Sequence, residues 1–236
     1  MAILEKVRKA WAFVCSAPVP YLLIAAIGVA IGYIPFNKVI LPGDGYVPRF
    51  ATIVMGIFLA ISQGWIAWMF ARQAGGTRPD FVAAARETVP GLGWLSLLGL
   101  VFAVTDMALS RYVVPGHGSL SREVLVGSYL LAAYLMLLVR LSSCPIAVEK
   151  APLPDAVRAG VAAVMEAPWQ LFLLWFVFGL FGAVLSKGIY SIAQEAEGGY
   201  AAAEFVGRCI SSLLGVFLGC VVCLYARPAA KEAGGK

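Results

Sequence analysis

Few residues in this chain could do chemistry, and they stand far apart. The single histidine, His117, lies in Pro115-Gly116-His117-Gly118. Bis-histidine haem ligation needs two imidazoles, and a zinc centre built on histidines needs several. The five cysteines are Cys15, Cys144, Cys209, Cys220 and Cys223. An odd number scattered over apolar segments is no disulfide framework. Cys220-x-x-Cys223 has redox or metal spacing but no further ligands nearby in sequence, so it reads as small apolar packing. No GxSxG, HExxH, P-loop or kinase pattern occurs. Serines are present, but no histidine lies within an apolar stretch to activate one. Glu149, Asp155 and Glu166 sit on polar faces and read as solvated. The expectation is a protein that is not an enzyme and uses no cofactor or metal.

Polar residues inside apolar stretches are the remaining candidates. Asp106 lies about twelve residues, or about 18 Å, into a helix that starts near Trp94. An ionisable group there is expensive and needs a partner or water. Arg208 is within reach as that partner, although Glu204 is available to Arg208 at i, i+4. Arg111 offers a third pairing by snorkelling. Gln63, beside Ser62, is mid-span and suits an interhelical hydrogen bond. Arg140 reads as the cytoplasmic end of its helix, with its guanidinium reaching the headgroups.

The elements that position these residues are six apolar stretches: Tyr21–Phe36, Ala51–Ala71, Gly91–Val113, Val124–Leu141, Trp169–Ser186 and Phe205–Ala226. Crossing the hydrocarbon takes about 20 residues, and only helices satisfy their own backbone there. Apolar residues make up 61% of the chain and charged ones 13%, and the mean hydropathy is +0.86. The fold expected is an all-α polytopic membrane protein, one domain over 1–236. With the N-terminus in the cytoplasm, twelve Lys and Arg fall inside and six outside. The positive-inside rule therefore puts both termini in the cytoplasm of a bacterial inner membrane. The net charge of +5 reads as topology and contact with anionic lipid, not as nucleic-acid binding. Pro18 and Pro20 before the first apolar run, and a long basic region, speak against a cleaved signal.

The chain divides into hairpin units 1–74, 77–150 and 152–228. Each begins with a short amphipathic segment: Ile3–Val14, Pro79–Thr88 and Pro154–Met165. Their apolar stripes predict helices lying along the cytoplasmic interface. Pro79-Asp80 and Pro154-Asp155 each precede a Trp by 15 residues, at Trp94 and Trp169, a trace of an internal repeat. Three two-helix units are the layout of mitochondrial carriers, but the Pro-acid-base signature of that family is absent.

Arg140-Leu-Ser-Ser-Cys-Pro145-Ile-Ala-Val-Glu149, with Pro152-Leu153, Ala156-Val157-Arg158 and Trp169, carries a family resemblance. It resembles bacterial proteins related to the membrane domain of glycerophosphoryl diester phosphodiesterases. There an Arg ends a helix, Pro and an acid follow, and an amphipathic segment leads into an aromatic-rich span. Ala159-Gly160 stands where that family often has Ser. The resemblance implies a six-helix membrane module and no catalysis, since 236 residues leave no length for the phosphodiesterase barrel.

The sharpest helix-contact signal is in the last stretch. Gly207, Ser211, Gly215 and Gly219 recur every fourth residue, followed by Cys223. Gly28 and Gly32 have the same spacing in the first stretch. Small residues let backbones approach closely, so this stripe is expected to be the tightest helix contact, against the first helix or a neighbouring chain. The expected function is a non-catalytic subunit, scaffold or organiser acting through helix contacts with lipids, a second copy or another membrane protein. A small-molecule or ion transporter is the alternative, and would need a polar path with broken helices. A lipid-acting enzyme would need acids converging near the interface.

Overall fold

A computed structural model describes residues 2–33, 47–113, 122–194 and 199–226. The described residues form helices and no strand. The helices are α1 (Ala2–Ser16), α2 (Pro18–Tyr33), α3 (Val47–Ala74), α4 (Phe81–Thr88), α5 (Leu92–Val113), α6 (Arg122–Glu149), α7 (Leu153–Glu166), α8 (Pro168–Gln194) and α9 (Gly199–Cys223). Among the described residues, five runs are long and apolar enough to cross a membrane: Thr52–Ala74, Phe81–Thr105, Leu130–Glu149, Pro168–Ile189 and Ala203–Cys223. A sixth arises if the bent pair α1–α2 counts as one span. The molecule is thus an all-α, multi-pass membrane protein.

Prolines decide how each amphipathic helix meets its spanning helix. Ala17 lies at a bend of 96° between α1 and α2, ahead of Pro18. Ala167, ahead of Pro168, breaks α7 from α8 with φ −135°. A residue before proline avoids the helical region, and proline itself is at ease in a first turn. The middle unit differs. Pro90 lies within a 3-10 turn, Val89–Gly91, so α4 continues into α5 with no non-helical residue between them. The chain reverses after α3 at Gly76, whose φ of +80° favours glycine. There Gly76 N donates to Gln73 O at 3.0 Å and Thr77 N to Arg72 O at 3.0 Å. Asp80 caps α4 by accepting from Val82 N at 2.9 Å.

α3 and α6 take part in both buried clusters. One cluster joins Tyr21, Ile24, Ile66, Leu137, Leu171 and Val221 across α2, α3, α6, α8 and α9. The other joins Ala60, Leu95, Leu98, Val139, Ile146 and Ala156 across α3, α5, α6 and α7. α8 stands at the rim, with Leu173, Phe176, Val177, Leu180, Phe181 and Val184 exposed.

One expectation about helix ends changes, and α7 shows a second face. The three amphipathic segments are helical, and α7 buries Ala156, Ala159, Gly160 and Ala163, while Val161 and Met165 of its expected lipid-facing stripe are exposed. Small residues bring α7 against α6: a Cβ added at Gly160 would lie 3.1 Å from Leu138 Cδ1 and closer still to Ser142 Oγ. α6 does not end near Leu141. It runs through Pro145 to Glu149. Proline normally breaks a helix interior by leaving a carbonyl without its donor. On the turn before it, Ser143 Oγ donates to Val139 O at 2.8 Å and Cys144 Sγ to Arg140 O at 3.3 Å.

Candidate ligand cavity between the spans

The helical extension past Pro145 changes the setting of Arg140. The residue lies within the run Leu130–Glu149 and is 6% exposed. Its guanidinium does not snorkel to a headgroup layer, as its place near an expected helix end suggested. Nη1 donates to Gln63 Oε1 at 2.9 Å and to the Gly215 carbonyl at 3.0 Å. One arginine of α6 thus ties α3 to α9.

Gln63 is fully buried and completes the knot. Its Nε2 donates to the Gly219 carbonyl at 3.1 Å and lies 3.3 Å from Cys223 Sγ and 3.8 Å from Cys144 Sγ. The interhelical role expected of this amide is the one the geometry displays. A Cβ at Gly219 would stand 2.6 Å from Gln63 Oε1 and 3.0 Å from Arg140 Nη1, so the polar pair occupies the space of the missing side chain.

The guanidinium is only partly satisfied. Arg140 Nε is buried with no acceptor. Nη2 also donates to no protein acceptor among the described residues, and neither ion pair found among them involves Arg140. Nη2 faces the Gly215 position, where an added Cβ would come to 3.8 Å.

Arg140 lines a partly open cavity of about 580 Å³ between α2, α3, α5, α6 and α9. Ile24, Met55, Phe58, Phe102, Met136 and Val216 make much of its wall apolar. Gly28, Gly32, Gly207, Ser211 and Gly215 line it as well. Arg140 marks one end and the Arg208–Glu204 pair the other. Arg208 and Gly215 are seven residues apart on α9, or about 10 Å along the helix axis.

Within the described chain, the small-residue stripe of α9 is not the tightest helix contact. A Cβ at Gly207 would meet nothing within 4 Å, and Ser211 is exposed. Inside the chain the stripe makes room for the cavity and the polar knot and admits no other backbone. α2 does cross α9, but through neighbouring positions. A Cβ at Gly28 would lie 2.7 Å from Ser212 Oγ, which donates to the Ala25 carbonyl at 2.8 Å. Gly32 accepts from Arg208 Nη1 through its carbonyl.

Backbones approach most closely elsewhere, between α3 and α5. A Cβ at Gly99 would be 2.6 Å from Ile57 Cα, and one at Gly56 would be 2.7 Å from the Gly99 carbonyl oxygen. The signal for this crossing was present as Gly56-x-x-x-Ala60-x-x-x-Gly64 facing Gly99-x-x-x-Ala103.

The other candidates divide. Arg208 pairs with Glu204, with Nη2 and Nε at 2.6 and 3.1 Å from Oε1. Asp106 is placed in α5, but its side chain, like that of Arg111, lies outside the described residues, as does His117. Cys144 and Cys223, far apart in sequence, have their sulfurs 3.8 Å apart. No group of three or more His, Cys, Asp or Glu suited to a metal occurs among the described residues.

Compared with protein-family models, curated proteins and solved structures, the chain matches none.

Proposed function

We propose that this is a non-catalytic integral membrane protein that holds a lipid-class molecule between its helices. The cavity carries the reading. Its wall is largely aliphatic and aromatic and lies among spanning helices. Such a space favours an acyl chain over a hydrated solute. The exposed apolar face of α8 adds a surface for bilayer lipid, a second copy or another membrane protein.

The protein is read as a resident of a bacterial inner membrane with both termini in the cytoplasm. Removing Arg140 from the inner tally leaves eleven Lys and Arg against six, which keeps the sign of the asymmetry. Lys6 Nζ donates to the Leu224 carbonyl at 3.1 Å and stands 3.3 Å from the Tyr225 ring centre. That contact supports a common side for α1 and the end of α9. The exposed Leu4, Trp11, Val82 and Met165 support α1, α4 and α7 as interfacial helices with their bulky residues in lipid.

A transporter is the second reading. The Arg140–Gln63 pair favours it, because polar groups within spans often mark solute paths. Native mass spectrometry of protein extracted in mild detergent tests the first reading. The expected result is a retained chain-bearing molecule in the wild type and its loss from Gly207→Leu, which fills the cavity. An empty wild-type protein that moves a charged solute across proteoliposomes would sink the lipid-holding reading in favour of transport.

A further inference from the structure

Resting on that lipid-holding reading, we infer that the cavity selects a single-chain amphiphile with an anionic head, a carboxylate or a phosphate monoester, and seats that head on Arg140. Two independent features converge. One is the cavity with its apolar wall. The other is a guanidinium, 6% exposed, that lines it without a countercharge among the described residues.

The pattern of hydrogen bonds points to the head. Nη1 is committed to Gln63 and Gly215. Nε is buried away from the cavity, whereas Nη2, which donates to no protein acceptor among the described residues, lies beside Gly215 on the cavity wall and is the donor offered to an oxyanion. The neutral dipoles of Gln63 Oε1 and the Gly215 carbonyl orient the cation but do not neutralise it. A cation in such surroundings is costly until an anion joins it. At the far end Glu204 already neutralises Arg208, so that end offers no second anion seat of equal strength. The anion therefore belongs at Arg140, and the apolar wall runs from there toward Arg208. A cavity of about 580 Å³ fits one chain better than a two-chain phospholipid.

Binding to the purified full-length protein in an uncharged maltoside detergent tests the inference. The probes are hexadecanoate, hexadecyl phosphate, hexadecanol and inorganic phosphate, read by quenching of tryptophan fluorescence with brominated chains and by thermal shift. The two anionic chains should bind about tenfold or more tighter than hexadecanol, the margin of a charge-assisted hydrogen bond. Inorganic phosphate should bind far more weakly than hexadecyl phosphate. Arg140→Gln should erase the anion preference and leave hexadecanol binding intact. Gly207→Leu, which keeps Arg140, should weaken all three chains alike.

Equal binding of hexadecanol and the anions by the wild type overturns the head assignment and leaves the lipid-holding reading standing. An anion preference that persists in Arg140→Gln does the same. Inorganic phosphate binding as tightly as hexadecyl phosphate overturns the amphiphile in favour of a free anion. Failure of every chain to bind overturns the lipid-holding reading itself. Should Arg140→Gln not fold, Arg140→Met, which keeps the length of the stem without the charge, takes its place, and an anion preference that persists there overturns the head assignment.

Discussion

At the crossing of α3 and α5, glycine brings backbone onto backbone; on α9, small residues at a similar spacing border a cavity. Gly56 and Gly99 have no room for a methyl group, because the Ile57 Cα and the Gly99 carbonyl stand within 3 Å of where one would go. Gly207 has empty space around it, Gly215 has Arg140 at ordinary contact distance, and Gly219 is filled by Gln63 and Arg140. A missing side chain is a vacancy, and its use depends on what the facing helix brings. α5 brings its own glycine and Ala103, so the helices close. α6 brings Arg140, whose bulk and hydrogen bonds hold α9 at a distance and leave a cavity beside them. A small-residue stripe in lipid permits close contact without compelling it.

Substitutions can break this contrast, starting where the effect is largest. Gly99→Ala should cost about 3 kcal/mol, because a new Cβ meets main chain that cannot rotate away. Thermal unfolding in detergent measures it, and a loss smaller than that of Gly207→Ala would reverse the comparison. Next comes Gln63→Leu. It removes one of the two acceptors of Arg140 Nη1 and the donor to the Gly219 carbonyl. About 2 kcal/mol is expected from leaving those groups short of partners. The same unfolding assay decides, and an unchanged midpoint would mean water satisfies the knot.

Gly160→Ala should cost about 1 kcal/mol, since the nearest atoms, Ser142 Oγ and Leu138 Cδ1, are side-chain ends able to shift. Ser142→Ala removes a buried hydroxyl that has no partner, and should recover most of that loss in the double variant. Absence of rescue would place the strain in the backbone of α6. Gly207→Ala is the smallest effect, within about 0.5 kcal/mol of wild type. A large loss there, seen with a changed elution volume, would mean that another chain covers the stripe.

Much of the architecture was legible because it follows from simple physical needs. Each of the six apolar stretches is helix over its described part, save the last three residues of the sixth, Leu224–Ala226, since backbone in hydrocarbon has no other partner. Gln63 was readable as interhelical glue because an amide in mid-span must find an acceptor. Arg140 was not, because its apolar stretch stops at Leu141 and the arginine read as the end of the helix. The helix instead continues through Pro145 to Glu149. The small-residue face of α7 was not read. Its valines stood out as the stripe turned to lipid, while Ala156, Ala159, Gly160 and Ala163 permit the close approach to α6, and they are the ones buried.

The sequence by itself determined the class of solvent, the helical content and the places where proline and glycine turn the chain. These depend on local composition and on the backbone's own hydrogen bonds, which need no knowledge of the neighbours. Only the tertiary structure decided which glycines close a crossing and which open a cavity, and that Arg140 faces inward with an edge of its guanidinium uncommitted. Those outcomes depend on which side chain arrives from another helix, and no periodicity within one helix encodes the side chain opposite it.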